Sequence, residues 1–447
     1  MGVKFAKRGP GRSPGPRFCT LPPLGMTYLR MILLGCCLLL GAAAQAQSKL
    51  SGTVVDSVTR EPLAFASVFL ANTTFGSSTN DQGKFEINRV PNGTYDMVCS
   101  YVGYRLSKQS VTVSGSSQQF TLQLTPVGNS LGEVVIKPEP NKPEEYEKFS
   151  QMFLGGTTFS NQCRISNPDA IRVFFDEEDK LLRARAKEYL QVDNEALGYR
   201  LKYFGLEFSF DPEDGAVSYY GEPVFEEMKP KDEQQQKLWA ANRLKAYQGS
   251  FMHFLRSVYQ GRLRTENFMA QQIKVTVNKR FGQTDSLRQV LLERHPDGSD
   301  LTKAEKDSLS LWSRSAPVYA TLNQAALPID SIRRVGPGGK RVFLRFTGEL
   351  QVAYFGEIPD PQYKRAMSPL GPPRASFPNP RQVSRLRLQR RQAEIQADGS
   401  LLNPLDVSVG EYWGFEKIGE FLPFDYQPTA AVKPVLTAPA TPPGRNK

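Results

Sequence analysis

Histidine is scarce in this chain, which has two histidines among 447 residues. A zinc peptidase needs at least two nitrogen or oxygen donors and an activating carboxylate at a fixed spacing. His253 is followed by Phe-Leu-Arg and His295 by Pro-Asp-Gly, so neither belongs to a His-x-x-Glu or His-Glu-x-x-His pattern. We therefore predict no metal site and no cofactor, and we interpret His253 as a packed or partly exposed helix residue.

Long hydrophobic runs are also missing, since no segment reaches the roughly 18 apolar residues of a membrane span. The longest run, residues 31–44, follows Arg30 and leads into Ala-Gln-Ala (44–46), a small-x-small cleavage pattern. Residues 1–46 are therefore predicted to be the signal peptide of an exported protein, and a start at Met26 would give it a more usual form. Leu-Leu-Gly-Cys (33–36) resembles a lipobox, which leaves a lipoprotein as the alternative.

Acidic residues are absent from the first 46 positions, which hold six lysines and arginines. Their removal lowers the formal net charge from +11 to +5, which is typical of a surface of mixed charge. An exported chain also has no access to nucleic acid.

Of five cysteines only Cys99 and Cys163 follow this segment, and the alternation around Cys99 places it on the buried face of a strand. We expect no disulfide between them.

A strained nucleophile turn is lacking as well. Gly-Asn-Ser-Leu-Gly (128–132) matches the letters of Gly-x-Ser-x-Gly, but strand-like residues 133–136 follow it where a helix is needed. The glycine patterns of phosphate loops and dinucleotide sites are absent from the sequence. We therefore predict that the chain is not an enzyme.

Short strands and turns dominate residues 48–125. Asn-Asp-Gln-Gly (80–83) and Pro-Asn-Gly (91–93) predict tight turns, because Asn and Gly tolerate positive φ. Strands at this spacing without a helical period predict a β-sandwich. Six strands are predicted, at residues 50–55, 64–71, 84–87, around 99, around 111 and at 120–124.

Several blocks within residues 48–125 resemble the carboxypeptidase-regulatory-like domain in their order and spacing. The resemblance implies a seven-stranded, prealbumin-like sandwich of exported Gram-negative proteins, with no catalytic residues of its own. The blocks are Ser-Gly-Thr-Val-Val-Asp (51–56), Glu-Pro-Leu (61–63), Ala-Ser-Val (66–68), Thr-Asn-Asp-Gln-Gly-Lys-Phe (79–85), Val-Pro-Asn-Gly-Thr-Tyr (90–95) and Val-Gly-Tyr (102–104).

The chain as a whole is predicted to be mostly β. We place the sandwich at residues 47–126, a proline-rich linker at 127–142, a β-rich α+β region at 143–426 and a disordered tail at 427–447. Within the linker, Leu-Gly-Glu-Val-Val-Ile (131–136) resembles the segment that follows such modules in TonB-dependent receptors. About 300 residues remain after it, without the serial strands of a receptor barrel, so we reject the receptor interpretation and keep docking to such a system open.

The second region mixes helices and strands. The sequence predicts helices at 143–154, 231–247, 250–259 and 302–314, a meander of strands at 171–175, 181–186, 189–192 and 197–210, and a hairpin of 341–346 with 350–355. Blocks at 163–168, 246–256 and 410–414 resemble a group of exported proteins with no assigned activity. That resemblance implies nothing about chemistry.

Carboxylate pairs are the catalytic arrangement that the sequence leaves open. A glycoside hydrolase needs two carboxylates ~5–9.5 Å apart in a cleft, and aromatic side chains could form a platform for sugars, although we expect most to be core. The candidate acids are Glu207, Asp211, Glu222, Glu226 and Glu227. The candidate aromatics are Tyr199, Tyr203, Phe204, Phe208, Phe210, Tyr219, Tyr220, Tyr412, Trp413 and Phe415.

An Asp-Ser pair followed by an aliphatic residue occurs four times, at 56–58, 285–287, 307–309 and 330–332. The triplet resembles an O-glycosylation acceptor of some Gram-negative bacteria. Turn and cap chemistry explains it equally well and is the interpretation that we prefer.

These observations predict a non-catalytic binding or structural protein of the periplasm, outer membrane or cell surface, with the sandwich as a spacer or docking module. Its partner would be an envelope protein or a glycan. The alternative is a glycan or peptide hydrolase that uses carboxylates of residues 143–426. That alternative predicts a concave pocket containing two carboxyls of raised pKa.

Overall fold

A computed structural model describes most of the chain beyond the predicted signal peptide. The predicted signal peptide, the alternative start at Met26, the lipobox-like segment, most of the predicted linker and most of the predicted tail lie outside the described residues. The described residues are 48–127, 140–213, 215–296, 300–313, 315, 317–363 and 381–429.

The N-terminal part is a sandwich of two sheets that enclose one apolar core. Its strands are β1 (Ser48–Asp56), β2 (Ser67–Leu70), β3 (Gly76–Ser78), β4 (Lys84–Val90), β5 (Gly93–Ser100), β6 (Ser107–Val113) and β7 (Gln118–Leu124). One sheet has the order β4-β1-β7 and the other β3-β2-β5-β6. Every second residue of β1 is buried, as expected of a strand with one face on a core. The predicted seven-stranded sandwich is confirmed.

Two glycines show why the sequence folds this way. Gly83 ends the turn between β3 and β4 with φ +68, and the Asn80 side chain accepts hydrogen bonds from the backbone N–H groups of Gln82 and Lys84. A Cβ on Gly52 would lie 2.2 Å from the carbonyl oxygen of Phe120, so only glycine lets β1 approach β7 this closely.

The second region begins with a helix packed on a six-stranded sheet. These elements are α1 (Pro143–Leu154), β8 (Cys163–Ile165), β9 (Ile171–Asp176), β10 (Leu181–Ala186), β11 (Tyr189–Asn194), β12 (Tyr199–Phe210) and β13 (Val217–Glu227). Phe149 and Phe153 of α1 are fully buried, and the Phe149 ring meets Phe208 of β12 edge to face at 5.0 Å.

The predicted meander is wrong in its strand order. The sheet runs β8-β11-β12-β10-β9, with β13 also paired to β12. Strand β12 has twelve residues, so β11 pairs with residues 199–204 and β10 with residues 207–210. The bulge at Gly205, which has φ +58, separates the two pairings.

Two helices follow, α2 (Glu233–Tyr247) and α3 (Phe251–Gln260), as the sequence predicts. Asp232 and Ser250 cap them by accepting hydrogen bonds from the N–H groups of Gln235 and His253. Gly249, with φ +84, makes the break between the helices.

A five-stranded and a three-stranded sheet complete the fold. Their elements and the associated helices are β14 (Phe268–Val277), α4 (Phe281–Arg294), α5 (Lys303–Trp312), β15 (Val318–Ala326), α6 (Ile329–Ile332), β16 (Arg333–Val335), β17 (Val342–Leu344), β18 (Glu349–Tyr354), β19 (Gln382–Leu388), β20 (Ala393–Ile395), β21 (Val407–Glu411) and α7 (Tyr412–Glu416). The larger sheet runs β15-β14-β18-β19-β21 and the smaller β16-β17-β20.

The predicted hairpin of residues 341–346 and 350–355 is also wrong, because β17 and β18 belong to different sheets. The chain changes sheets at Gly348, whose φ is +72 and where a Cβ would lie 2.5 Å from the Ile273 carbonyl oxygen. Helix α4 was not predicted. Its sequence lacks the apolar stripe that would predict a helix, and only Leu291 of the helix is buried.

Candidate functional site

The five candidate carboxylates do not converge on a cleft. Glu207 is exposed, and its carboxylate lies 4.0 Å from the Arg185 guanidinium. Asp211 accepts a hydrogen bond from the Glu213 N–H in its own turn. Their neighbours on β13 pair with cations: Glu226 with Lys202 at 2.6 Å and Glu227 with Arg243 at 3.0 Å. Glu222 alone among the five is buried.

Glu222 lies at the contact between the sandwich and the second region. Its carboxylate is 2.6 Å from the Lys108 ammonium of β6 and accepts a hydrogen bond of 2.8 Å from the Tyr220 hydroxyl. Although burial lowers the pKa of Lys108, its hydrogen bonds to Asp96 and Glu222 raise that pKa overall. This acid therefore serves the domain contact as an ion pair.

An apolar patch surrounds this ion pair, and we call the whole contact the seam. Phe69, Ala71 and Val98 of the sandwich are buried against residues of the second region. The Phe69 and Phe204 rings are 4.8 Å apart. The second region contributes Phe204, Val224 and the half-buried Tyr189.

A loop of the sandwich, residues 72–74 between β2 and β3, is held on both sides by the second region. On one side the Asn72 N–H donates to the Pro223 carbonyl at 2.6 Å, and the Phe225 N–H donates to the Thr73 carbonyl at 3.0 Å. These bonds continue the edge of β13 into the loop.

The C-terminal segment, residues 423–426, holds the other side of the loop. The Phe424 N–H donates to the Asn72 carbonyl at 2.8 Å, and the Asp425 carboxylate accepts from both the N–H and the hydroxyl of Thr74. Burial raises the pKa of Asp425, and the hydrogen bonds from Thr74 oppose that rise.

Arg256 of α3 holds this C-terminal segment through hydrogen bonds. It is 6% exposed, and its guanidinium donates to the carbonyls of Asp398, Phe424 and Tyr426 at 2.8–3.0 Å. The sandwich loop, the C-terminal segment and α3 thus form one continuous hydrogen-bonded stack.

The two histidines lie apart from each other. The Nδ1 atom of His253 accepts from the Gly249 N–H at 3.2 Å, so its Nε2 carries the proton and donates to Glu266 at 3.3 Å. Burial lowers the pKa of His253. His295 follows α4 and lies 2.9 Å from Asp300. Across the described ranges, no group of three or more His, Cys, Asp or Glu residues could hold a metal ion.

Most of the candidate aromatics are core residues. Seven of the ten are buried, which removes them from any sugar platform, while Tyr220 is 52% exposed beside the seam. The buried ones are Tyr199, Tyr203, Phe204, Phe208, Phe210, Tyr412 and Trp413.

Cys99 and Cys163 are both free, and burial raises the pKa of each thiol to about 12.

A second set of carboxylates, which the sequence did not single out, lies close enough together for electrostatic repulsion, since Glu420 and Glu357 both repel Glu416. Glu357 lines a cleft of about 340 Å³ together with Lys245 at the end of α2. Glu416 ends α7 and Glu420 lies four residues later. We call this cleft, with Glu416 and Glu420 near it, the carboxylate cleft. The remaining lining residues are Ile358, Pro359 and Pro361.

Burial raises the pKa of all three glutamates of the carboxylate cleft. Those of Glu357 and Glu420 rise to about 7, in each case mainly through burial and against the attraction of Lys245. The pKa of Glu416 lies well above its ordinary value because of burial and of repulsion by Glu420 and Glu357. All three glutamates are half-buried and keep part of their surface exposed.

A polar network lies beside the segment that carries Glu357. The Tyr412 hydroxyl accepts a 3.0 Å hydrogen bond from the Asp360 N–H and a weak one of 3.5 Å from the Gln382 side-chain amide. The Gln382 Oε1 atom and the Tyr354 hydroxyl are buried and have no hydrogen-bond partner among the described residues. Tyr354 reaches the segment of Glu357, since its hydroxyl occupies the space where Gly356 would carry a Cβ.

The backbone around α7 is strained on both sides. Glu411 has φ +61 and ψ −125, and Lys417 has φ +48 and ψ −152, in a region that strongly favours glycine. Each such residue costs on the order of 1–3 kcal/mol and is retained where surrounding structure enforces it.

The family comparison identifies the N-terminal part. Residues 50–136 match the family model of the CarboxypepD_reg-like domain, which confirms the resemblance drawn from the sequence. The match continues past residue 126, where we placed the end of the sandwich. No curated protein matches the chain.

Solved structures give similarities over short parts of the chain. The pilus 2b backbone protein of group B streptococcus is 18% identical over 18% of this chain and 41% of its own, with a TM-score of 0.17. The major pilin BcpA of Bacillus cereus is 14% identical over 18% and 30%, with a TM-score of 0.16. A putative carbohydrate binding protein of Pseudomonas aeruginosa is 16% identical over 19% and 93%, with a TM-score of 0.15. Such low scores support no functional assignment.

None of the helices in the described part of the chain is long and apolar enough to cross a membrane.

Proposed function

We propose that the chain is a non-catalytic binding or structural protein of the bacterial cell envelope, and that its sandwich is a docking module. The observation that carries this proposal is the seam. A flexible spacer would need few contacts with its neighbour, whereas the loop 72–74 is hydrogen-bonded on both sides and Phe69 is 2% exposed. The sandwich therefore works as a fixed part of one larger surface.

The carboxylate cleft is the binding site that best fits this role. It combines ionisable groups of raised pKa with a concave shape, which is the usual mark of a ligand site. His253 is not available as the base that would activate a nucleophile there. Its Nδ1 accepts a hydrogen bond from the Gly249 N–H and its Nε2 donates one to Glu266.

Binding and turnover can be measured in one assay. The mature chain is incubated with purified sacculi and outer-membrane vesicles, sedimented, and the supernatant is tested for new reducing sugar and free amine. The proposal predicts saturable co-sedimentation without product. Product that increases with time and with the concentration of the chain would contradict the proposal.

A hydrolase remains a second candidate because Glu357, which lines the cleft, and the nearby Glu420 both have a pKa of about 7. A carboxyl with that pKa suits a general acid or base near neutral pH. Under this alternative Glu357→Gln or Glu420→Gln would abolish turnover of a glycan or peptide. Glu226→Gln would leave it unchanged, since Glu226 pairs with Lys202 on the surface of β13.

A further inference from the structure

We propose that residues 274–321, which we call the arm, associate with the arm of a second copy of this chain. The arm consists of the outer end of β14, the helices α4 and α5, and the first residues of β15. This inference goes beyond the proposed binding function and does not depend on it, since the arm shares no residue with the seam or with the carboxylate cleft.

The arm extends beyond the five-stranded sheet. Strand β18 pairs with β14 along residues 268–273, whereas β15 continues the pairing along residues 274–277. The outer part of β14 and β15 is therefore a two-stranded ribbon, and β15 has no neighbour on its other side among the described residues. A two-stranded ribbon is marginally stable in water unless a further strand or another layer packs on it.

The arm also has almost no core of its own. Leu291 is its only buried side chain in the part of the arm that the structure describes. Eight large apolar side chains of the arm are exposed, against five in the whole sandwich, and Val277 and Leu311 are each 68% exposed. Apolar surface exposed at this density is typical of a site of protein association.

One face of the ribbon is aliphatic. Val275 lies opposite Ala320 and Val277 opposite Val318, and residues that lie opposite each other in antiparallel strands share a face. We call these four residues the apolar face of the arm. Val275 and Val318 are 38% and 37% exposed, so the helices of the arm leave this face open to solvent. Thr276 points to the other face, because side chains alternate along a strand.

The free edge of β15 is open to a neighbouring chain as well. Natural edge strands are commonly protected against pairing by charged side chains or proline, and neither occurs within Val318–Ala326. The register between β14 and β15 shifts between Gln271 and Ile273, so the edge opposite residues 274–277 is regular.

The distribution of charge argues for a second copy as the occupant. Residues 274–294 hold five basic and two acidic residues, whereas residues 295–313 hold two basic and four acidic ones. A two-fold arrangement sets the basic part of each arm against the acidic part of the other. The apolar face contains no charge, so two copies of it meet without repulsion. A partner with one sign of charge would match only half of the arm.

Sedimentation equilibrium of the mature chain, from about 1 µM to about 100 µM, measures this association. We expect a monomer–dimer equilibrium that weakens as the salt concentration rises, because the contact includes charges of both signs. Val277→Lys places a charge on the apolar face and should raise the dissociation constant at least tenfold. Thr276→Lys adds the same charge one residue away on the other face, and as the matched control it should change the constant less than twofold.

A charge exchange tests whether the partner is this chain itself. Lys279→Glu/Arg280→Glu reverses the basic part of the arm, and Asp307→Lys reverses charge in the acidic part. All three residues are exposed, so the variants disturb no core. Each variant alone should associate at least threefold more weakly, and an equimolar mixture of the two should regain association as a heterodimer that native mass spectrometry detects.

A monomer at the highest concentration would overturn the proposal. Equal dissociation constants for Val277→Lys and Thr276→Lys would overturn the assignment of the contact to the apolar face, and a mixture that does not regain association would overturn the charge arrangement. A monomeric chain whose co-sedimentation with outer-membrane vesicles is lost in Val277→Lys would assign the face to a different partner and overturn the second copy.

Discussion

Lys108 of the sandwich and Glu222 of the second region form an ion pair of 2.6 Å in which the carboxylate side chain is 4% exposed and the ammonium side chain 35% exposed. The pair joins two parts of the chain at the edge of an apolar patch. Removing one partner leaves the other inside the contact, which costs more than removing both.

A double-mutant cycle measures this coupling. Lys108→Met should lower the free energy of unfolding by about 1–3 kcal/mol, because the Glu222 carboxylate then keeps only the Tyr220 hydroxyl. The double variant Lys108→Met/Glu222→Gln should be less destabilised than Lys108→Met alone. Urea unfolding provides the values. Strictly additive effects would mean that the pair has no role in the seam.

The apolar part of the seam gives a second prediction. Phe69→Ala should destabilise the docked state by about 2–4 kcal/mol, because it deletes a buried ring 4.8 Å from Phe204. Calorimetry should then show two separate transitions where the unaltered chain shows one. Phe65→Ala is the matched control, since Phe65 belongs to the same sandwich and is 70% exposed. The idea is wrong if both variants behave alike.

The hydrogen bonds from Arg256 to the carbonyls of Asp398, Phe424 and Tyr426, which we call the clamp, support a third prediction. Arg256→Met removes three hydrogen bonds to the carbonyls of Asp398, Phe424 and Tyr426 and leaves these partly buried carbonyls without that donor. We expect a loss of at least 3 kcal/mol and rapid cleavage near residue 424 in limited proteolysis. An intact C-terminal segment under the same digestion would show that the clamp is dispensable. Arg341→Met, which breaks an exposed pair with Glu394, is the control.

The carboxylate cleft makes stability depend on pH in a defined direction. The pKa of Glu357 rises from an ordinary 4.5 to about 7 on folding, so the folded state binds more protons between these values. Its contribution is therefore greatest at low pH and is lost as the pH rises from about 4.5 towards 7. Glutamine imitates the protonated carboxyl.

Glu357→Gln should consequently stabilise the chain at pH 8 by about 1–3 kcal/mol and have little effect at pH 5. Urea unfolding at both pH values tests this expectation. Glu226→Gln should show no such difference between the two conditions. A stabilisation that is equal at pH 5 and pH 8 would mean that the Glu357 carboxyl is not perturbed by its site.

Local sequence signals were enough to predict the sandwich. The alternation within residues 48–56 and the turn at Asn80 and Gly83 depend on neighbours in the chain, and the structure has both. The break at Gly249 between two helices was predicted for the same reason. Errors arose where partners are distant: β17 and β18 look like a hairpin in sequence, yet Gly348 directs them into different sheets.

The sites themselves were hidden from sequence reasoning. Phe69 lies in the sandwich and Phe204 in the second region, and no local pattern predicts their contact. Glu222 was singled out as a possible acid, and its burial against Lys108 reveals a structural role. Glu357 and Glu420 owe their pKa to burial, which spacing along the chain cannot indicate.

The docked arrangement of the sandwich is the central claim, and a distance measurement tests it most directly. Spin labels are attached to Val58→Cys on the sandwich and Leu238→Cys on α2, which replace residues that are 74% and 56% exposed. The native thiols should stay unlabelled, since burial raises their pKa to about 12. Double electron–electron resonance should then give a single narrow distance, which broadens in Phe69→Ala. A broad distribution in the unaltered background would contradict the account.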